Sequence, residues 1–362
     1  MNIQNKSMSN RWNHIDLMKC IGIFFVVMYH STTYPHTLTL APSYELWFFR
    51  SLLRTPFAAC VPIFFFANGY LLLNREFSLK KHIIKLLNML LLTILWAIII
   101  LLVLSWKTGE KMDNTLFIYR LQNLEPIGWI NHLWYMGTLA FIYIFFPLLK
   151  HAYDTNRTYF LYFTIVCTIL TIGNTLMGTI STLINNQIDR SNFFGIFNPF
   201  YTNHGYAFAY FCIGGLAHEY QSHLEKIAVD LRNLISSIII IVSSFISWIL
   251  AIKYTAIGGT DWDSVWYGYD TIFTLLITGA IFVLSLSYQK HHNFIHLISK
   301  NALGIYFMHP LLIKFFDEYV CQLPFLWNYT ANILYTILIV LLCTLIAECL
   351  KKVPALRFLV KM

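Results

Sequence analysis

Charged residues are scarce in this sequence. Asp, Glu, Lys and Arg supply 12% of its 362 residues, about half the share of an ordinary soluble domain, while hydrophobic residues supply 57%. A water-soluble fold is thereby excluded. Metal-spaced cysteines are also missing. Of the seven, Cys20, Cys60, Cys167, Cys212, Cys343 and Cys349 fall in apolar stretches and Cys321 in a connection, so neither a zinc site nor a disulfide framework is expected. No Pro/Gly/Ser-rich stretch divides the chain, which reads as one domain over 1–362. No small-x-small cleavage site follows the first apolar run, so that run is expected to stay as a span. No inverted repeat of five plus five helices is visible, and such a repeat marks many transporters.

What the sequence does have is a series of apolar runs of about twenty residues, the length a helix needs to cross a bilayer core. They fall at approximately 15–33, 46–73, 82–105, 132–149, 159–178, 205–221, 231–253, 267–288, 297–316 and 328–350. The fold class is therefore all-α, a polytopic integral membrane protein with about ten transmembrane helices. Basic residues cluster at Arg75, Lys80 and Lys81, at Lys150 and Arg157, at Lys226 and Arg232, at Lys290, and in the tail at Lys351, Lys352, Arg357 and Lys361. All of these lie on one side of a ten-span chain, and basic loops stay in the cytoplasm. Both termini are expected to be cytoplasmic, with the long connections at about 106–131 and 179–204 outside. The net charge of +8 is then mostly a topology signal, and no nucleic-acid partner is implied.

Ionisable groups inside such spans are costly and mark function. Asp16 and Lys19 open the first span at its cytoplasmic end, and His30 follows Lys19 by eleven residues. Eleven steps on an α-helix return to within about 20° of the same face and advance roughly 16 Å. One face therefore carries a cation at the mouth and an imidazole well inside. His309 lies near the middle of the ninth span and precedes Pro310, which frees a carbonyl and kinks a helix, as happens beside a cavity. The two imidazoles either share one cavity or each make a structural bond between helices. At the start of the third span Lys81 and Lys85 are four apart and share a face. Beside Lys19 that face suits a polyanion; the alternative is a set of lysines that snorkel to lipid phosphates.

The outer connections and helix ends are rich in aromatic and amide side chains: Trp129, Asn131, His132 and Trp134; Asn198, Phe200, Tyr201, Asn203 and His204; Asp261, Trp262, Asp263, Trp266 and Tyr267. Such faces suit a sugar, and they equally suit an interfacial aromatic belt.

Several motifs recur in a familiar order. Ile15-Asp16-Leu17-Met18-Lys19 is followed after ten residues by His30, and Val61-Pro62-Ile63-Phe64-Phe65-Phe66-Ala67-Asn68-Gly69-Tyr70 closes the second span. Lys81-His82-Ile83-Ile84-Lys85, His132-Leu133-Trp134-Tyr135 and Leu303-Gly304-Ile305-Tyr306-Phe307-Met308-His309-Pro310 come after them. Over nearly the whole chain this set resembles the bacterial acyltransferase family 3 membrane proteins. Within that family it is similar to the single-domain O-acetyltransferases of surface polysaccharides, of the enterobacterial common antigen type. Lys19, Lys81 and Lys85 stand where arginine is common, and Asn68 where serine is usual. Lysine lacks arginine's bidentate fork. Relatives often carry an arginine just before Val61-Pro62; here Arg54 either substitutes for it or is interfacial.

The resemblance implies acetyl-CoA as donor, with no metal, and the hydroxyl of a surface or lipid-linked glycan as acceptor, at a bacterial inner membrane. CoA's phosphates are expected on Lys19, Lys81 and Lys85, and His30 is expected to act as general base. Asp16 is expected to orient the cationic mouth by pairing with Lys19. His309, His132, Trp134, Tyr306 and Arg54 are the candidates for positioning the acceptor. Direct transfer and an acetyl-His30 intermediate both remain open. No esterase-like domain follows the last span here, so a membrane domain acting alone or with separate glycan-assembly proteins is expected. The rival is a transporter or flippase of a lipid-linked glycan, with basic residues on pyrophosphate and histidines relaying protons. A sensory or scaffolding membrane protein is a third reading, and it leaves His30 dispensable.

Overall fold

The computed structural model describes residues 12–31, 51–109, 113–122, 130–201, 204–260, 262–320 and 325–361. Its helices are α1 (Asn13–His30), α2 (Cys60–Leu73), α3 (Leu79–Thr108), α4 (Asn114–Gln122), α5 (Trp134–Thr155) and α6 (Arg157–Asn185). They continue with α7 (Tyr206–Leu224), α8 (Val229–Gly258), α9 (Ile272–Ser285), α10 (Asn293–Val320) and α11 (Phe325–Lys352). No strand occurs among the described residues. Each of the ten apolar segments read from the sequence overlaps one of these helices, and α4 is an extra short helix in the connection after α3. Residues Trp129, Asn203, Asp261 and Cys321 lie outside the described residues.

Among the described residues, six helical stretches are long and apolar enough to cross a membrane: Ser51–Leu73, Leu79–Thr108, Asn131–Thr155, Arg157–Asn185, Val229–Gly258 and Ala331–Lys352. The apolar windows of α3, α6, α8 and α11 are only 28–39% buried, against 72% for the stretch ending in α2 and 67% for that containing α5. Helices turned toward lipid carry unbroken apolar surface, whereas those turned inward can hold polar groups if neighbouring helices satisfy them. That explains why α1 and α10, which pack on each other, fall outside the six: α1 carries Asp16 and Lys19, and α10 carries Lys300 and His309.

α1 ends on His30, short of the boundary at 33 read from the sequence, and its backbone turns extended at Ser31. It is tied to its neighbours along its length. His14 Nε2 lies 3.0 Å from Tyr70 Oη of α2. Cys20 Sγ donates to the Ile295 carbonyl of α10 at 3.1 Å. Thr336 Oγ1 of α11 donates to Met28 Sδ at 3.1 Å. Just past its end, Ser31 Oγ bonds Asn332 Oδ1 of α11. None of the described cysteines is disulfide-bonded.

α2 and α7 pack backbone to backbone. A Cβ on Gly69 would collide with the Phe211 carbonyl, and one on Gly214 with the Phe66 carbonyl, so each helix uses a glycine where the other's backbone passes. The far end of α2 is held by Lys150 of α5, whose Nζ donates to the Leu73 carbonyl at 2.9 Å and pairs with Asp154 at 2.6 Å. α3 is anchored by Trp96, which donates to the Leu359 carbonyl at 2.8 Å and stacks on Phe307 at 5.6 Å. Beyond the end of α8, Asp263 organises the connection to α9. Its Oδ1 accepts the Val265 and Trp266 amides at 2.9 and 3.2 Å, and its Oδ2 accepts Tyr29 Oη at 2.9 Å and Arg54 Nη2 at 3.3 Å.

Two stability predictions follow from these contacts. Gly69→Ala and Gly214→Ala should each destabilise by about 1–3 kcal/mol through overpacking. Gly137→Ala, where an added Cβ meets nothing within 4 Å, should leave the melting temperature in detergent unchanged or slightly raised. Asp263→Ala should lower that temperature more than Asp263→Asn, which keeps an acceptor for the two amides; the cost of the alanine is about 1–3 kcal/mol.

Candidate active site

A cavity of about 790 Å³ opens between α1, α2, α3, α5, α10 and the C-terminal end of the chain. That is within the range of small-ligand sites, about 300–1,000 Å³. From α1 and the residue that precedes it, the cavity is lined by Trp12, Ile15, Asp16, Lys19 and Val26. These positions form one helical stripe, and the stripe continues by one turn to His30. The continuous helix puts Lys19 and His30 on that stripe about 16 Å apart.

The mouth of the cavity is strongly basic. Lys19 of α1, Arg75 after α2, Lys85 of α3, Lys300 of α10, Lys351 of α11, and Arg357 and Lys361 of the tail all line it, against the two carboxylates Asp16 and Glu348. Glu348 is already engaged, accepting from Asn301 Nδ2 and Lys351 Nζ at 2.8 Å and facing Lys300 Nζ at 3.4 Å. Asp16 accepts Ser299 Oγ at 2.7 Å and faces His296 Nδ1 at 3.4 Å, both on α10. A cationic excess remains at the mouth. Inward, the lining becomes apolar and aromatic through Val26, Val61, Phe64, Tyr135, Leu139 and Tyr306, with Asn68 among them. The Asn68 amide donates to the Phe64 carbonyl at 2.8 Å and lies 3.5 Å from Tyr135 Oη.

Beyond Tyr306 the imidazoles gather. The rings of His30 and His309 are 5.1 Å apart and those of His309 and His132 are 5.6 Å apart. Tyr306 lies 5.5 Å from His132, ring to ring, and its hydroxyl donates to the His132 carbonyl. His309 and His132 are buried, while His30, at the end of its helix, is exposed. His309 Nδ1 lies 3.1 Å from the Ile305 carbonyl. A carbonyl only accepts, so Nδ1 carries the proton and the neutral ring keeps its lone pair on Nε2. Among the described residues, His309 Nε2, His132 Nε2 and Asn332 Nδ2 are buried without a hydrogen-bond partner. They are among eleven such atoms in the described residues, and here they leave two ring nitrogens of the histidine cluster open to a further partner.

The residues singled out in the sequence therefore divide into groups. Lys19, Asp16, Lys85 and Tyr306 line one cavity; His30, His309 and His132 do not line it but cluster beyond its lining residue Tyr306, whose ring is 5.5 Å from that of His132 and 6.2 Å from that of His309. Lys81 is exposed and does not line the cavity; the inward side of that turn carries His82, whose Nε2 donates to the Tyr143 carbonyl at 2.7 Å. Arg54 is buried against Asp263 and lies over the ring of Tyr29, the residue before His30, at 4.9 Å, and it does not line the cavity. Trp134 stacks on His204 at 4.4 Å. Arg75, Lys351, Arg357 and Lys361 were read from the sequence only as topology signals, and with Lys300 they join Lys19 at the mouth. Their only sequence signal was position near helix ends, which every cytoplasmic basic residue shares. Among the described residues no group of His, Cys, Asp or Glu is arranged to hold a metal ion.

No curated protein and no solved structure matches the chain. The family model described as an acyltransferase domain matches residues 12–348, a stretch that begins just before α1 and contains the basic mouth up to Glu348, the aromatic throat and all three clustered histidines. The chain is thus a multi-pass membrane protein that belongs to acyltransferase family 3.

Proposed function

We propose that the protein is an O-acetyltransferase of the bacterial inner membrane, with both termini cytoplasmic and ten spans. It moves an acetyl group from acetyl-CoA to a hydroxyl of a surface or lipid-linked polysaccharide. The observation that carries this reading is the cavity on α1, with a cationic mouth around Lys19 and an inner end one helical turn from His30. A polyanion joined to a long, thin, uncharged arm with a reactive end matches that sequence of environments, and CoA thioesters have this build.

In this reading Lys19, Lys85, Arg75, Arg357 and Lys361 hold the phosphates as point charges and forks. The arm lies along Val26, Val61 and Phe64, which exclude water from the thioester. His30 takes the proton from the acceptor hydroxyl as its oxygen bonds to the thioester carbonyl carbon. The carbon–sulfur bond breaks, and the proton passes to the departing sulfur to give the free CoA thiol. His309, with Nδ1 held by Ile305, offers Nε2 as an acceptor that orients the ring of His30 or the incoming hydroxyl. His132, Tyr306 and Trp134 shape the acceptor side, and Arg54 positions Tyr29 and the loop around Asp263.

The experiment is acetylation of surface glycans in cells, followed by mass spectrometry, with matched expression of each variant. His30→Ala should lower the acetyl increment by about 100-fold or more, as expected for loss of a general base. Retention of the increment would remove His30 from the chemistry, and its absence in wild-type cells would favour glycan translocation. In membranes, Lys85→Ala should raise KM for acetyl-CoA by about tenfold, the scale of one charged hydrogen bond. Lys81→Ala should leave KM within about twofold, as for an exposed charge.

A further inference from the structure

A second cavity, of about 290 Å³, lies at the end of the bundle where α1 finishes, between α6, α8, the connection before α7 and the connection before α9. Its chemistry differs from that of the first. Arg190 and His204 face Asp189 and Asp270, so there is no excess of positive charge. Both carboxylates are engaged: Asp270 accepts Thr175 Oγ1 at 2.6 Å, and Asp189 accepts Ser181 Oγ and Ser191 Oγ at 2.5 Å. Those hydroxyls hold the Asp189 carboxyl below the usual carboxylate range, so it stays an acceptor. A site with this balance does not select a polyanion.

Its walls combine aromatic faces with polar edges. Trp262 and Tyr267 are 4.7 Å apart, ring to ring, and the Arg190 guanidinium lies 4.3 Å from the first and 3.8 Å from the second. Apolar ring faces edged by fixed donors and acceptors match a sugar ring, which has apolar C–H faces and hydroxyls around its rim. The volume is at the small end of ligand sites, about 300–1,000 Å³, and fits one unit of a polymer rather than the whole of it.

Two contacts join this cavity to the histidines. His204, in its wall, has a left-handed backbone at φ 51°, a conformation that costs energy for a residue other than glycine, and it stacks on Trp134 at 4.4 Å. Trp134 opens α5 directly after the turn that carries His132. On the other side, Asp263 sits between the lining residues Trp262 and Ser264 and accepts from Tyr29, whose ring is 5.0 Å from that of His30. Strain held at such a junction belongs with function rather than with stability.

We infer that this second cavity binds one uncharged sugar ring of the acceptor, so that donor and acceptor enter from opposite ends of α1 and meet at the histidines. The inference rests on the acetyl-transfer reading above. It adds Trp262, Tyr267 and Arg190 as specificity-determining residues.

The test uses full-length protein with Trp262→Ala, Tyr267→Ala, the conservative Trp262→Phe, and Trp106→Ala as a control on a tryptophan that is 78% exposed. Two readouts separate the cavities. One is acetylation of surface glycans in cells at matched protein levels. The other is the rise in melting temperature of the purified protein on adding CoA, which reports donor binding alone. Trp262→Ala and Tyr267→Ala should each lower acetylation by about tenfold, the equivalent of one lost stacking contact. They should keep the CoA-induced shift, with Trp262→Phe restoring most of the acetylation and Trp106→Ala unchanged. Acetylation within twofold of wild type in both alanine variants would overturn the inference and leave the acetyl-transfer reading standing. Loss of the CoA shift together with acetylation would also overturn it, since the residues would then serve the donor or the fold. No acetylation by wild-type protein would remove the reading on which the inference rests.

Discussion

Everything in this bundle depends on keeping α1 in register while it carries polar groups through an apolar interior. Inside a membrane a misplaced carboxylate or imidazole has no water to fall back on, so its partners must come from other helices. α10 supplies Ser299 and His296 to Asp16, and α2 supplies Tyr70 to His14. The connection before α9 supplies Asp263 to Tyr29, and α11 supplies Asn332 to Ser31. The ties sit near both ends of the helix. They set its axial position, and with it the distance between the cations at one end and the imidazole at the other.

A division of labour among the helices follows from the same constraint. α3, α6, α8 and α11 present most of their apolar windows outward and reach the cavities along part of their length, as at Lys85 and Lys351, while α1, α2, α5 and α10 form most of the wall of the first cavity. The close approach of α2 and α7 through Gly69 and Gly214 holds the back of that enclosure. Charge is then sorted by position: a cationic surplus where α1 begins, and a balanced, aromatic-lined space where it ends. In the proposed reading, a chain sorted this way keeps an anionic donor and an uncharged acceptor apart until both reach the histidines.

Much of this was legible in the sequence because it is local. Apolar runs gave the helices, and the eleven-residue interval between Lys19 and His30 gave a shared face that the continuous α1 preserves. His309 beside Pro310 was read as facing a cavity with His30 or as a structural bond between helices; its ring is 5.1 Å from that of His30, and neither ring lines the first cavity. What stayed hidden depends on distant pairing. Asp16 was expected to turn to Lys19, three residues on; its carboxylate accepts Ser299 Oγ and faces His296, some 280 residues away. Periodicity put Lys81 and Lys85 on one face but could not say which edge of that face turns inward; burial of His82 rotates Lys81 outward and leaves Lys85 at the mouth. Arg54 was read as a surface or substrate residue because its partner Asp263 lies 209 residues later. The tail cations Arg357 and Lys361 looked like topology signals and nothing more.

The central claim is that the cavity on α1 is a donor channel with its charged end at Lys19 and its reactive end at His30. The measurement that tests it most directly is a cryo-electron microscopy structure of the full-length protein with CoA bound. The account predicts phosphate density against Lys19 and Lys85, with the thiol end of CoA past Val26 and facing His30. CoA density lying outside this cavity, or entering it with the thiol at the mouth, would contradict it.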